Sequence, residues 1–237
     1  MASKNIFHGF SKETIAFYQG LRQDNSKRWF EENRKIYDQY VMEPARDFVA
    51  ALGERLRQIA PQVHADPRVN QSIFRINRDT RFTHDKSPYK THLGLWLWEG
   101  PQPRMENSGF YFHLEPPTLM LGIGLYIFPD PMLYEYRATV MHPKHGAELV
   151  RAIKRVQERG YDVGEQRYKK TPRGFDPNHK HAELLLYNGL WAGLETKVPK
   201  EFYSAALVDY CFEHYRRLLP LHKWLLAFTL RATAAAE

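Results

Sequence analysis

The chain has 237 residues, 43% of them hydrophobic and 26% charged, which is typical of a globular protein with a substantial buried core. The formal net charge of +7 favours an acidic partner or ligand, although such an excess is also common in enzymes. The single cysteine, Cys211, excludes an internal disulfide, and no apolar run is long enough for a membrane span. With no apolar leader segment at the N-terminus, we expect a cytoplasmic, soluble protein without membrane contact.

The first 60 residues predict three helices with apolar or aromatic stripes. Ser11 and Ser26 can cap the first two, because a serine hydroxyl accepts a hydrogen bond from a free N–H of the first turn. Pro44 suits the first turn of the third helix, which Pro61 ends. All three stripes are predicted to be core.

From about residue 70 the period of the apolar residues changes to two, which is the spacing of strands. Four strands are predicted, the last bent at Gly122 or Gly124: Ser72–Asn77, Leu93–Trp98, Phe110–Leu114 and Leu119–Phe128. Their close spacing favours antiparallel pairing. Helical patterns then return, at 131–141, 145–159, 180–188, 200–218 and after Pro220.

This order predicts an α+β fold, in which an antiparallel sheet in the middle of the chain packs against N- and C-terminal helices. No repeat, low-complexity segment or linker divides the sequence. We therefore expect a single α+β domain over residues 1–237.

The most distinctive stretch is Phe74–His92, here called the basic segment. It holds two carboxylates, Asp79 and Asp85, and five cations, a net charge of +3 in 19 residues: Arg75, Arg78, Arg81, Lys86 and Lys90. Arginine offers a planar fork and lysine a compact charge to a phosphate or carboxylate. The segment is predicted to bind an anion, with Asp79 or Asp85 as a base or metal ligand. The alternative is a lattice of salt bridges that fixes a loop to the sheet.

A second basic patch lies at Arg167–Phe175. Lys169, Lys170 and Arg173 occupy a turn with Pro172 and Gly174, and a glycine turn can present N–H groups to an anion. Lys170 and Arg173 are therefore candidate ligand-binding residues. If the two patches face each other, they form a basic cleft; the alternative is a solvated loop.

No metal centre is predicted from the spacing of the ligands, and whether the chain uses a cofactor is left open. Two histidine-containing groups, Asp176/His179/His181 and Asp79/Asp85/His84/His92, meet no recognised metal-ligand spacing. Phosphate-binding P-loop, dinucleotide-binding, nucleophile-elbow and zinc-protease motifs are all missing from the sequence.

Seven short motifs are spread over nearly the full length of the chain. They are Phe7-His-Gly-Phe10, Asn25-x-x-x-Trp29-Phe30, Arg78-Asp-Thr-Arg-Phe82, Asp85-Lys-Ser-Pro-Tyr-Lys-Thr91, Gly122–Phe128, Lys169-Lys-Thr-Pro-Arg-Gly-Phe175 and Glu183-Leu-Leu185. Together they resemble the DUF2461 family of conserved hypothetical proteins. The resemblance implies one domain of family length, and it carries no activity, cofactor or catalytic residue.

Three functions remain open on the sequence. The first is binding of an anionic, phosphate-bearing small molecule in a basic cleft, with hydrolytic or phosphoryl-transfer chemistry left open. The second is a nucleic-acid-binding module, suggested by the two basic patches near aromatic strands. The third is a non-catalytic structural or interaction protein, in which the basic segment is a salt-bridge lattice. The ligand, any reaction and the oligomeric state are not specified.

Overall fold

The computed structural model describes residues 6–234, and the first part of this range is helical. The helices are α1 (Lys12–Gln23), α2 (Lys27–Glu32), α3 (Arg34–Tyr37) and α4 (Glu43–Leu56), with a π-helical turn at Asp38–Met42 before α4. Ser26 caps α2 as predicted, because its Oγ accepts a hydrogen bond of 3.1 Å from Trp29 N.

Within residues 6–234, six strands form one antiparallel sheet in the order β1-β2-β3-β4-β6-β5. The strands are β1 (Val63–His64), β2 (Leu93–Glu99), β3 (Gly109–Glu115), β4 (Thr118–Leu125), β5 (Asp162–Val163) and β6 (Leu190–Lys197). In the printed register at the edge, Asp162 lies opposite Gly193 and Val163 opposite Ala192. The predicted α+β fold, with a central antiparallel sheet and helices on both sides of it in the sequence, is confirmed.

Three further helices follow β4. They are α5 (Asp130–Met141), α6 (Pro143–Gln157) and α7 (Leu207–Ala234), with short 3₁₀ helices at Arg104–Glu106, Ala182–Leu186 and Lys200–Tyr203. The helix predicted at 180–188 is therefore a 3₁₀ turn. Among residues 6–234, no helix is both long and apolar enough to cross a bilayer.

The helix predicted at 200–218 begins only at Leu207, after the 3₁₀ helix Lys200–Tyr203, and two further predictions differ from the structure. Ser72–Asn77 is not a regular strand and makes only isolated bridges, Ile73 with Val69 and Leu95, and Asn77 with Tyr89. The break predicted at Pro220 is also wrong, because α7 continues through this residue.

The chain forms two compact units, and each has its own aromatic core. As far as residues 6–234 are described, the first takes in Met1–Leu97, Tyr111–Leu121 and Glu195–His214, and the second Trp98–Phe110, Gly122–Leu194 and Tyr215–Glu237. The single domain over residues 1–237 stays a prediction.

In the first unit, helix α4 packs on strand β3. The ring centroids of Phe48 and Phe112 lie 5.1 Å apart, and Phe10 stacks on Phe202 at 4.9 Å. In the second unit, Phe128 stacks on Tyr136 at 4.6 Å, and Phe110 meets Tyr215 edge-on at 5.3 Å. All of these rings are fully or almost fully buried, so they belong to the cores of the two units.

Candidate functional site

The basic segment is a loop closed at its base by two short antiparallel stretches. Arg78 N donates to Pro88 O at 2.9 Å, and Lys90 N donates to Ile76 O at 2.8 Å. Residues 79–87 therefore form the loop itself. The alternation predicted for the start of the segment holds over residues 75–77, where Arg75 and Asn77 are exposed and Ile76 is buried.

Helices α1 and α2 hold the base of this loop through Asn25, which lies between them. Its Nδ2 donates to Tyr89 O at 3.0 Å, and its Oδ1 accepts from Tyr89 N at 3.0 Å. The Tyr89 ring stacks on Phe30 at 4.3 Å. The motif Asn25-x-x-x-Trp29-Phe30 thus supplies two of the groups that fix the basic segment.

Within the loop, both aspartates are paired to arginines. Arg81 donates to Asp79 from Nε at 3.0 Å and from Nη2 at 2.7 Å. Arg78 contacts Asp85 through Nη1. Lys86 Nζ donates to Thr80 O at 2.8 Å. These contacts are the ones that the salt-bridge interpretation predicts.

The pairing shifts both carboxyl groups towards the ionised form. Hydrogen bonds from the Arg81 side chain and backbone lower the pKa of Asp79 to about 2. Hydrogen bonds from the Ser87 hydroxyl and N–H, and then from Arg78, hold the pKa of Asp85 well below its usual value. Both aspartates are therefore charged at neutral pH, with hydrogen bonds already made.

The remaining cations of the segment have other surroundings. Arg75 is exposed, and its charge contributes to the low pKa of Asp79. Lys90 Nζ lies 5.3 Å from the centroid of the Phe74 ring. At the tip of the loop, Phe82 is 90% exposed and Arg81 lies 5.4 Å from its ring centroid.

The second basic patch lies in the other unit and is solvated. Lys169, Lys170 and Arg173 are all exposed, and Gly174 has a positive φ of 88°. The backbone N–H groups of Arg167 and Tyr168 both donate to Leu186 O, which fixes the start of the turn. The basic cleft, which would need this patch to face the basic segment, stays a prediction.

A polar cluster stands at the C-terminal end of the basic segment. His92 is the last residue of the segment, and its ring stacks on that of His113 at 4.2 Å. The other members are Tyr111 and Glu115 on β3. Tyr111 Oη lies 2.8 Å from His113 Nδ1, and His113 Nε2 lies 3.4 Å from Glu115 Oε2. Thr91 Oγ1 donates to Glu115 Oε1 at 2.9 Å.

The protonation states follow from burial and from the mutual charges of the cluster. Burial lowers the pKa of His92 to about 4, with further lowering by His113 and Lys90 and an opposing effect of Glu115. Burial also lowers the pKa of His113. Burial raises the pKa of Glu115, but hydrogen bonds from Thr91 and His113 outweigh it. At neutral pH two neutral imidazoles therefore face an ionised carboxylate.

Sequence reasoning missed His113 and Glu115, although a signal was present. On a strand, Phe110, Phe112 and Leu114 share one face, so Tyr111, His113 and Glu115 share the other. The structure confirms the alternation, because the first three are fully buried and the second three are partly exposed. The pairing of this polar face with His92 could not be read from the sequence, because it depends on the register of β2 and β3.

A second unexpected group is buried in the other unit. Ser108 Oγ lies 2.9 Å from His222 Nδ1, and His222 Nε2 lies 3.0 Å from Glu99 Oε2. The residue types are those of a nucleophile, base and carboxylate, but Ser108 and His222 have no exposed surface. A substrate cannot reach this serine in the described conformation, so we interpret the group as a buried polar network.

Of the histidines considered as metal ligands from the sequence, His179 and His181 lie close together. Their ring centroids are 5.3 Å apart, and His179 Nδ1 accepts a hydrogen bond from His181 N. Asp176 accepts from Asn178 N at 2.8 Å. Within residues 6–234, the one group whose donor atoms lie close enough for a shared ion is His92, His113 and Glu115.

Comparison with curated proteins and with solved structures finds no match. The model of one family, a conserved hypothetical protein (DUF2461), matches residues 13–224. This range covers both units, the basic segment and the polar cluster, and it includes most of the motifs that suggested the resemblance. The chain belongs to the DUF2461 family.

Proposed function

We propose that the chain binds an anionic, phosphate-bearing small molecule on the basic segment, in the cytoplasm. The observation that carries the proposal is the charge of an exposed, firmly anchored loop, in which two aspartates cannot neutralise five cations. The proposed ligand-binding residues of the segment are Arg75, Arg78, Arg81, Lys86 and Lys90. Lys170 and Arg173 are proposed as anion-binding residues of the second patch.

The ion pairs within the loop do not prevent this binding. Arg81 uses Nε and Nη2 for Asp79, and its Nη1 hydrogens are left for another acceptor. Its side chain is 75% exposed. Because exposed ion pairs contribute little to stability, a phosphate can share or replace such a partner at small cost.

The arrangement supports binding more directly than catalysis. Asp79 and Asp85 are strongly acidic and occupied by arginine or Ser87, and a general base is most effective when its pKa lies near the working pH. Their action as base or metal ligand stays a prediction. In the proposal they fix the arginine forks in the positions from which a phosphate is bound.

The test is stabilisation of the protein by inorganic pyrophosphate and by nucleoside triphosphates, measured as thermal unfolding at low salt. A ligand at 100 times its Kd stabilises the folded state by about 2.7 kcal/mol. The double variant Arg75→Ala/Lys86→Ala removes two charges without breaking either arginine–aspartate pair. We expect it to lose most of the ligand response.

The matched control is Arg151→Ala/Arg155→Ala, which removes two exposed charges from helix α6. This control should keep the full response, since its charges lie outside both patches. An equal response in the two double variants would show that binding follows overall charge, and it would contradict a site on the basic segment.

A second candidate function, binding of single-stranded nucleic acid, is favoured by one observation. Phe82 projects from the loop tip beside Arg81, and an exposed ring next to a cation is a platform on which a base can stack. Binding of a labelled oligonucleotide should then weaken steeply with salt and fall several-fold in Phe82→Ala. No binding at about 50 mM salt would count against this function.

The third interpretation, in which the basic segment is a purely structural lattice of salt bridges, makes a different prediction for Arg78. If the lattice fixes the fold, Arg78→Ala should destabilise the protein strongly and ligands should have no effect. If the segment is a binding site, this variant should unfold nearly as the wild type does and respond more weakly to ligand. Denaturant unfolding with and without pyrophosphate separates the two.

A further inference from the structure

We propose that His92, His113 and Glu115 form a binding site for one divalent first-row transition-metal ion, of which Zn²⁺ is the probe. One donor atom from each residue lies within 4.8 Å of the other two. Two imidazoles and one carboxylate are a ligand set that such ions accept, and it leaves a coordination position for water or substrate. The site is independent of the proposed anion site, since it uses none of its cations.

The hydrogen bond between His113 and Glu115 is long, and the separation of its two atoms also fits two ligands of one ion. Nε2 and Oε2 lie 3.4 Å apart, whereas N–H···O hydrogen bonds cluster near 2.9–3.0 Å. Two atoms bound to a tetrahedral zinc at about 2.0–2.1 Å lie roughly 3.4 Å from each other. These two ligand atoms therefore already have the separation that zinc requires.

Tyr111 fixes the ring of His113 in the orientation that the ion needs. Its Oη lies 2.8 Å from Nδ1, so Nδ1–H can donate to the phenol oxygen when the lone pair of Nε2 binds the ion, in place of the hydrogen bond from Nε2 to Glu115. Tyr111 is itself held between Phe74 and Trp96, with ring centroids 6.3 Å and 6.4 Å away. Tyr111 is thus a positioning residue for the ligand His113.

His92 completes the set from the position directly before β2. The stacked His92 and His113 rings bring two imidazoles to one side of the β2–β3 pair. The site is partly open, because the side chains of His113 and Glu115 are 18% and 40% exposed. A metal ion can enter without unfolding the sheet, and a ligand from solvent can occupy the remaining position.

Two other histidine-containing groups are weaker candidates for a metal site. The tilted rings of His142 and His145 lie 4.6 Å apart and His145 lies 3.1 Å from Glu148, but His142 Nδ1 already accepts from Lys144 N. The buried Glu99–His222–Ser108 group has both imidazole nitrogens engaged and no access for an ion from solvent.

The experiment is a calorimetric titration of the full chain, first treated with a chelator, with Zn²⁺ alone. We expect one ion per chain with a Kd at or below the micromolar range. His92→Ala/His113→Ala should weaken binding at least 100-fold. Tyr111→Phe, which keeps the ring but removes the acceptor, should weaken it about 10- to 100-fold. Titration with Co²⁺ should give the visible absorption of a tetrahedral ion in the wild type and not in the double variant.

The matched control is His142→Ala/His145→Ala, which removes another pair of neighbouring histidine rings and should leave affinity and stoichiometry unchanged. If His92→Ala/His113→Ala does not fold, Glu115→Gln decides, because this side chain is half-exposed and glutamine keeps an amide oxygen that can accept from Thr91 and Arg22. Zinc binding that survives in Glu115→Gln at wild-type strength, or that disappears in the control, would overturn the proposal. So would the lack of a one-to-one complex.

Discussion

Asn25 is the residue through which the helices hold the basic segment. Its amide satisfies both the N–H and the carbonyl of Tyr89, a residue that is only 6% exposed. Unsatisfied buried backbone groups cost about 1–3 kcal/mol each, and these two are only partly buried, so Asn25→Ala should lower the free energy of unfolding by roughly 2–3 kcal/mol. Urea denaturation measures this loss.

Asn178 gives the control for that variant, because it is exposed and its described hydrogen bond is made by its backbone N–H. Asn178→Ala should change stability by less than about 0.5 kcal/mol. If the two alanine variants are equally stable, Asn25 does not anchor the loop, and the motif that contains it must be explained in another way.

His92 gives a prediction about pH, because its ring is held neutral in the folded chain. The ordinary histidine pKa is near 6.5, whereas burial lowers that of His92 to about 4. Between these values the unfolded chain binds more protons than the folded one, so stability falls as the pH falls from about 6.5 towards 4. Above pH 6.5 the contribution is complete, and the loss amounts to at most a few kcal/mol.

The measurement is an NMR titration of the histidine rings in chelator-treated protein, together with denaturation at pH 7 and pH 5. The groups that face His92 are His113, Glu115 and Lys90. His92→Gln should reduce the pH dependence of stability over this range. A His92 ring that titrates near 6.5 would mean that the site is more open to water than the structure shows.

At the scale of elements, the segment before α1 docks on the 3₁₀ turn at Lys200–Tyr203. Phe10 N donates to Phe202 O at 2.9 Å, and the two rings stack. Gly9 has a φ of +112°, and a Cβ there would lie 2.3 Å from Ser204 N. Only glycine satisfies both conditions, which explains the Phe7-His-Gly-Phe10 motif physically.

Gly9→Ala should therefore destabilise the protein by about 2–4 kcal/mol, because it adds a steric clash to an unfavourable backbone conformation. Gly160→Ala is the control, since Gly160 also has a positive φ, of 82°, but nothing lies within 4 Å of its Cβ position. This control should cost only about 1 kcal/mol. Equal losses in denaturation experiments would show that Ser204 moves away and that the docking is loose.

The central strands could be predicted because their period-two pattern coincides with burial. Strand β6 could not, since its partners β4 and β5 lie far away in sequence. The segment Ser72–Asn77 also could not be predicted correctly from the sequence alone. Phe74 N donates to Gly94 O and Trp96 N to Ser72 O, but the chain then turns away to close the basic segment with residues 88–90. Alternation predicts which residues are buried, and tertiary pairing decides whether a strand forms.

Helix α7 shows tertiary packing overriding a local signal. Proline in a helix interior costs about 3 kcal/mol, which is why a break was predicted at Pro220. The helix continues because fully or almost fully buried residues lie on both sides of the proline: Leu218, Leu221, Trp224, Leu225 and Phe228. Arg159 Nη1 also donates to the Arg217 carbonyl at 2.6 Å, so a side chain supports this part of the helix.

At the scale of the whole molecule, four strands have residues in both compact units. They are β2, β3, β4 and β6, each of which is divided between the units at an internal residue. Each unit alone would therefore contain only fragments of these strands. Because a strand fragment is stable only as part of a sheet, neither unit should remain folded when the other unfolds.

If the chain is a single domain, it should unfold cooperatively. We expect one calorimetric transition, with a van't Hoff enthalpy equal to the measured enthalpy of about 160 kcal/mol for 237 residues. Two separate domains would instead give two transitions, each with about half of that enthalpy. Gly9→Ala in the first unit sharpens the experiment, because in a single cooperative domain it shifts the entire transition. A variant that shifts one part of the transition and leaves the rest in place would divide the chain into two domains.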